Sequence, residues 1–449
     1  MDSSDAYWRS PPGSAAAGAA TGANTRHVTV LGAGIVGLAT AAALARAGHA
    51  VTVVDALAGV GEGTSFGNGC QLSYGYVAPL AQPGLFAELP QLLFARQAPL
   101  RIVPRMEPAQ WLWMLRFLQC CTRARADSSS LALLALGQLS RQETERWLQG
   151  TDHAALGFSQ RGKLVVLPTA AALARARAQV ALQAPHGPLQ RTVTEDECLR
   201  LEPALARMRG RIAGAIHTPS ECAIDSLALC RNLEARLRAR GVRFALGNRV
   251  HGFHRAQGRV THIESEAGRQ EVDLLVLATG AQSPSVARQL GLSVPVYPLK
   301  GYSITVPIRD PQAAPHMNIT DAAHKIVYAR IGQRLRVAGV VEIRGHDQRI
   351  DAARIDALVR HTRAAFGEAV DFASVSAWTG LRPATPDSVP IIARTPLSNV
   401  LLNVGHGALG LTLAFGAASR MADLVEAMAG PARAPRPLAS TSSFVPAPP

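Results

Sequence analysis

The sequence predicts an α/β fold in which a parallel βαβ unit alternates along the chain with a second domain built on an antiparallel sheet, and three observations carry that prediction. A β-branched run over residues 27–31 meets Gly32, an apolar stretch over residues 35–47 follows, and a second strand over residues 50–54 closes on Asp55. Residues 272–278 form a near-continuous apolar run ending in Thr279-Gly280, as expected of a strand buried on both faces of a parallel sheet. Residues 302–306, 326–330 and 335–340 are short strand-like runs suited to an antiparallel sheet.

The remaining elements fill this frame. The helix over residues 35–47 carries apolar residues around much of its surface and stops at Gly48, which suits burial against a sheet. Residues 83–150 read as mainly helical with proline punctuation, then come a strand over 162–167 and helices over 170–183 and 222–240. Short strands at 242–245 and 259–264 follow, and near the end a strand at 400–404 meets a glycine-rich turn and a helix over 411–428.

At 449 residues the chain is too long for one ordinary core, and 48% hydrophobic against 17% charged residues indicates a globular enzyme of two domains. Residues 1–25 and 431–449 are rich in Ser, Gly, Ala and Pro and are expected to be disordered extensions. No basic and apolar leader opens the chain, and the six cysteines show neither disulfide-scaffold nor zinc spacing, so a reduced, cytoplasmic protein without a metal is expected. No run of about 18 uncharged apolar residues occurs, so no spanning helix is expected. The net charge of +14 comes almost wholly from scattered arginines. They are not gathered into a basic run interleaved with aromatics, so no nucleic-acid partner is expected. A basic, amphipathic stretch over residues 93–125 points instead to peripheral association with anionic lipid. Its apolar part is Trp111, Trp113, Met114, Phe117 and Leu118, flanked by arginines 96, 101, 105, 116, 123 and 125.

Gly32, Gly34 and Gly37 fit GxGxxG between a strand and a helix, with Ile35 and Val36 opening the helix whose N-terminus takes a pyrophosphate. Asp55, at the end of the next strand, is placed to accept from ribose hydroxyls. This pattern indicates a dinucleotide and leaves NAD and FAD open. Three later features bear on the choice. The loop from Ser65 through Asn68 and Gly69 to Gln71 suits threading backbone past a flat ring. Thr279 and Gly280 form a second strand–glycine junction. Gly405, His406, Gly407, Leu409 and Gly410 introduce a helix, with Thr412 in its first turn, whose free amides and dipole suit an anionic ring.

With these residues placed, the chain resembles the D-amino acid oxidase-like FAD proteins, most of all their dehydrogenase branch. The likeness covers nearly all of residues 27–430 and is most specific in Val296-Tyr297-Pro298-Leu299-Lys300-Gly301-Tyr302-Ser303, in Trp378-Thr379-Gly380-Leu381-Arg382-Pro383-Ala384-Thr385-Pro386-Asp387, and in Leu402-Asn403-Val404-Gly405-His406-Gly407-Ala408-Leu409-Gly410. It implies a Rossmann-type FAD-binding domain over residues 26–105, 205–295 and 376–430, interleaved with an α+β substrate domain over 106–204 and 296–375. It adds Val250 to the expected FAD contacts.

The resemblance also implies that Arg382 grips a substrate carboxylate, which suits a guanidinium that forks two donors onto one anion. Tyr302 is placed to donate to that carboxylate or to wall the flavin face, and His406 to contact the ring. The implied reaction is oxidative deamination of a D-amino acid, with electrons leaving to a quinone or another carrier. An N-substituted or cyclic amino acid, such as a hydroxy-D-proline, is the alternative substrate, and a flavin-binding protein without turnover the alternative class. Two departures mark this chain: Gly67-Asn68-Gly69-Cys70 brings a cysteine toward the ring, where a packing role is expected over covalent attachment, and Glu221-Cys222-Ala223-Ile224-Asp225 replaces the usual Thr-Gly-Asp.

Overall fold

Strand His27–Leu31 is flanked by parallel strands Ala50–Val54 and Leu274–Leu277, each apolar on both faces. Val400–Val404 extends this sheet beside Leu274–Leu277 and Arg243–Ala245 extends it beside Ala50–Val54. An antiparallel edge, Ile391–Arg394, completes six strands. The computed structural model that shows this describes residues 7–8, 25–85, 92 and 98–428. Because the chain leaves the first strand toward one side and later returns on the other, a crevice opens at the carboxyl ends of His27–Leu31 and Leu274–Leu277.

Helix Ile35–Arg46 is buried from Gly37 through Leu44, which explains its nearly continuous apolar sequence. Helix Gly410–Glu426 packs against it and against helix Arg123–Leu148. The backbones of the last two close tightly, since a Cβ on Gly416 would stand 2.6 Å from the Leu136 carbonyl oxygen. Residues Gly407–Glu426 do have the length and mean hydropathy of a membrane span, 1.3, yet 56% of that window is buried in the protein. Phe415, Ala418 and Met421 belong to the same core as the central strands.

The second sheet has nine strands and is mainly antiparallel. Ser376–Ala384, Tyr297–Pro307, Arg334–Ile343, Ile326–Ile331 and Asn318–Asp321 follow one another across it. Lys163–Leu167, Gly214–Thr218 and Arg191–Val193 continue it, and Leu100–Ile102 pairs with Arg334–Ile343. Two pairings in it are parallel. Leu100–Ile102, Gly214–Thr218 and Ser376–Ala384 thus lie in this sheet although the boundaries read from sequence give them to the FAD-binding domain. Conversely, Arg123–Leu148 packs on the cofactor side, with Trp147 and Leu148 in the core of the six-stranded sheet. Hydrophobic alternation specifies that a strand exists, whereas the sheet it joins is set by register with residues far away.

The helix expected from residue 222 starts only at Ser226, because Asp225 caps it by accepting from the Leu227 and Ala228 amides at 3.0 and 3.3 Å. Cys222–Ala223 pair instead with Gln71–Leu72. The extension expected to lie outside the fold contributes Tyr7 and Trp8. Tyr7 is 1% exposed, its ring packs edge-on to Trp147, and the Arg46 guanidinium lies 4.6 Å from its centroid. Tyr7→Ala should therefore destabilise the protein by about 2 kcal/mol or more, toward the lower end of buried aromatic truncations because only a short segment is held. Tyr7→Phe should leave the thermal midpoint within about a degree or two, and comparing the two melting curves checks this.

Candidate active site

The crevice between the two sheets is a cavity of about 1860 Å³, well beyond the roughly 300–1,000 Å³ of an ordinary small-ligand pocket. One wall is the turn after His27–Leu31. Gly32 has φ +118, and a Cβ there would lie 2.4 Å from the Ala278 carbonyl oxygen, so only glycine lets the two strand ends meet. Gly37, the one expected cofactor residue outside the cavity lining, packs against that turn, where a Cβ would fall 1.8 Å from the Gly32 oxygen. The first amides of the Ile35–Arg46 helix have no intrahelical carbonyl to bond. Ser65 Oγ accepts from the Ile35 amide at 3.1 Å, which leaves its own proton free to donate. Asp55 accepts from the Ala33 amide at 2.6 Å and the Leu57 amide at 2.8 Å, so it both fixes the glycine turn and lines the cavity at that end. Val250, Thr279 and Gly280 line the same end.

At the opposite end the 405–412 turn delivers a second helix N-terminus, capped by no side chain. Gly405, Gly407, Leu409 and Gly410 line the cavity, and Thr412 Oγ1 accepts from the Ser73 amide at 3.2 Å. His406 is buried, its Nε2 has no hydrogen-bond partner among the described residues, and desolvation pulls its imidazole down to about 3. It presents a neutral ring to the cavity. Two helix dipoles aimed into one cavity, with a glycine cradle and an unpartnered imidazole, fit a dianionic pyrophosphate at one end and an electron-rich ring at the other.

The 64–71 loop joins the two walls. Thr64 Oγ1 donates to the Leu381 oxygen at 2.6 Å, Ser303 Oγ to the Gly67 oxygen at 2.7 Å, and Arg336 to the Asn68 oxygen at 3.0 Å. Gln71 donates its side-chain amide to the carbonyls of Ile319 and Tyr328, and Asn68 accepts from the Cys70 amide. Gly69 joins them in the cavity lining, so this loop offers backbone there while the amide side chains hold its shape. Cys70 packs among Ala223, Ala329 and Ile331, and burial pushes its thiol up, away from the thiolate that covalent chemistry needs.

Arg382 is enclosed by protein yet reachable through the cavity. Nη1 donates to the Val340 oxygen at 2.9 Å, and among the described residues no carboxylate pairs with it. Desolvation draws the guanidinium down to about 10, which leaves it charged at neutral pH. Tyr302 also borders the cavity, but its hydroxyl donates to Glu342 at 3.0 Å. That departs from a donor aimed at a substrate carboxylate: strand alternation puts the Tyr302 side chain with Lys300 and Glu342 on the face of the sheet opposite Arg382.

Sequence reading missed several cavity residues. Trp378 underlies the 64–71 loop, and a Cβ on Gly67 would strike its ring at 2.3 Å. Lys163 is buried on the cavity wall, donates to Ser73 Oγ at 2.6 Å, and is pulled down to about 8 by burial against the opposing pull of Glu221. A lysine heading the run Lys163-Leu164-Val165-Val166-Leu167 was the available signal, since a charge that begins a wholly buried strand needs a partner.

The family model for FAD dependent oxidoreductases of the DAO type matches residues 27–424. The chain belongs to this family of FAD-dependent oxidoreductases. It is 44% identical over 432 residues to D-amino acid dehydrogenase 2 of Ralstonia nicotianae, covering 92% of this chain and 99% of that protein. It is 42% identical to D-amino acid dehydrogenase 2 of Pseudomonas aeruginosa, covering 89% and 95%. Among solved structures it is similar to glycine oxidase from Geobacillus kaustophilus, with TM-score 0.67, 20% identity and coverage of 90% and 95%. L-proline dehydrogenase from P. horikoshii gives TM-score 0.66 at 16% identity, with coverage of 90% and 93%.

The state of His406 makes stability depend on pH. Its folded value lies far below the ordinary 6.5, so between those values the unfolded chain carries a proton that the folded chain excludes. Stability from this group is full above 6.5 and is lost as the pH falls toward 3. Between about pH 7 and pH 5 the melting midpoint of His406→Gln should therefore drop less than that of the unaltered protein, and calorimetry of both across that range decides it. Equal slopes would place the pH dependence elsewhere.

Proposed function

We propose that the protein oxidises D-amino acids to 2-oxo acids and ammonia, and that Arg382 binds the substrate carboxylate. One observation carries this reading: a charged guanidinium on the cavity wall, withdrawn from bulk water, with no carboxylate among the described residues to neutralise it. Such a group is costly to bury alone and is stabilised by an incoming anion. The names of the relatives at 42–44% identity support the D-amino acid class.

FAD, when bound, supplies the two-electron acceptor for the substrate's α-hydrogen. The glycine turn, Ser65 and the Ile35–Arg46 helix would hold its pyrophosphate, Asp55 its ribose, and the 405–412 turn its ring. Arg382 fixes the carboxylate and thereby which face of the α-carbon meets the ring. His406, neutral, adds no competing charge. The imino acid then hydrolyses with one water to the 2-oxo acid and ammonia.

One departure from the usual family pattern lies within the 64–71 loop and the other pairs with the strand Gln71–Leu72 that ends it, and neither removes a group from this scheme. In the holoprotein, D-amino acids should bleach the flavin without oxygen and L-amino acids should not. Arg382→Met should keep its flavin and lose about 2–5 kcal/mol of apparent substrate binding, read from bleaching titrations. A variant with unchanged affinity would remove Arg382 from the anchor role.

For the electron acceptor we infer a membrane quinone, reached from the inner face of the cytoplasmic membrane. Helix Pro108–Cys120 sorts its apolar residues onto two faces. Trp113 and Phe117 are buried and Met114 and Leu118 pack beside them, whereas Trp111, Leu112 and Leu115 are about half exposed and neighbouring Met106 is fully exposed. Arg105, Arg123 and Arg125 stand exposed nearby. Residues 93–97 of the basic stretch, with Arg96, lie outside the described residues. An apolar patch fringed by arginines suits an anionic lipid surface. Vesicles containing phosphatidylglycerol should retain the protein at low salt, Leu115→Glu should release it, and reduced flavin should reoxidise faster with a soluble quinone than with oxygen. Full turnover as peroxide without vesicle binding would make the protein an oxidase.

A further inference from the structure

The strand behind Arg382 is irregular at one place. Lys300 pairs with Glu342 and Tyr302 with Gly339, so Gly301 alone faces both Val340 and Val341. Val340 stands at φ +60, a conformation that a β-branched residue rarely adopts. The bulge turns the Val340 carbonyl out of the ladder and onto Arg382 Nη1 at 2.9 Å. The Val341 amide instead donates at 2.8 Å to the Pro99 oxygen, beside the added strand Leu100–Ile102.

Gly301 supplies the other half of the berth. A Cβ there would lie 2.4 Å from Arg382 Cζ and 2.5 and 2.6 Å from Nη2 and Nη1, so the planar guanidinium rests flat on the glycine Cα. Glu342, two residues beyond the bulge, is buried and already accepts from Arg354 at 2.9 and 3.0 Å, from Tyr302 at 3.0 Å and from Arg344 at 3.4 Å. By strand alternation it lies on the face opposite Arg382.

We propose that Gly301 and the Val340 bulge are positioning residues that preset the Arg382 guanidinium: one donor is held by a backbone carbonyl, one face lies against glycine, and the remaining donors are reserved for a carboxylate. A carbonyl fixes orientation without neutralising charge, which a carboxylate partner would do. The inference rests on the carboxylate-anchor reading of Arg382, and the test separates the two.

The probe is benzoate, a carboxylate with no α-hydrogen, titrated against the FAD holoprotein by the change in flavin absorption. Arg382→Ala should weaken benzoate by about a hundredfold, as for loss of one partner of a buried charged pair. Millimolar guanidinium should then recover at least about tenfold, because the berth survives the truncation. Adding Gly301→Ala should abolish the recovery, while Gly301→Ala alone should weaken benzoate about tenfold with flavin content unchanged. Equal recovery with and without Gly301→Ala, or Gly301→Ala binding like the unaltered protein, overturns the positioning role and leaves the anchor standing. Should Gly301→Ala not fold, absence of guanidinium recovery in Arg382→Ala overturns it equally. Arg382→Ala binding benzoate normally overturns the anchor and this inference together.

Discussion

A positive charge kept inside the protein without a negative partner among the described residues is the constraint on which the rest of this site depends. Removing a guanidinium from water is unfavourable by several kcal/mol unless something replaces the lost solvation. Here the replacement is a single carbonyl at 2.9 Å and whatever anion enters the cavity. The strand bulge and the glycine under the guanidinium hold it in place, while Glu342, bonded to Tyr302, Arg354 and Arg344, lies on the other face of the sheet. Left-handed backbone at a valine costs about 1–3 kcal/mol, and the surrounding nine-stranded sheet supplies the packing that holds it.

The same logic of fixed, uncompensated polarity runs through the rest of the cavity. Two helix N-termini without side-chain caps border it, and the nearest imidazole is held neutral by desolvation. Lys163, enclosed with Ser73 and near Glu221, adds a cation whose charge burial opposes. Donors and dipoles built in this way need no rearrangement when an anionic ligand or a developing negative charge arrives. The net charge of +14 places this local arrangement in a globally basic protein, which suits anionic substrates and surfaces alike.

Joining the two sheets falls to a few short contacts. The 64–71 loop touches the six-stranded side through Ser65 and the nine-stranded side through Thr64, Gly67, Asn68 and Gln71. It fixes the width of the crevice from a stretch of small residues with little core of its own. Its glycines are there because Trp378 and Val327 occupy the space where side chains would go.

How much of this was legible in the sequence follows from the range of the interactions involved. The strand–glycine–helix opening, the acidic residue at the end of the next strand and the glycine-rich turn before the last helix are local patterns. Propensity, capping and close approach act over a few residues, so Gly32, Asp55 and Gly405 could be placed before any fold was known. Arg382 was named through the resemblance, because nothing in its neighbours marks it as unpaired. The berth that holds it was not legible. Val340 and Gly301 meet Arg382 from 42 and 81 residues away in the sequence, and the bulge is a property of register between two strands rather than of either alone. The same reason moved Gly214–Thr218 and Ser376–Ala384 into the large sheet, freed Tyr302 from the carboxylate role and brought Tyr7 into the core. The sequence by itself determined most of the elements that form and the glycine turns that face the cavity, through short-range chemistry. The tertiary structure alone decided which polar groups find partners and which are left facing the cavity, because pairing between distant residues is settled only when the sheets close.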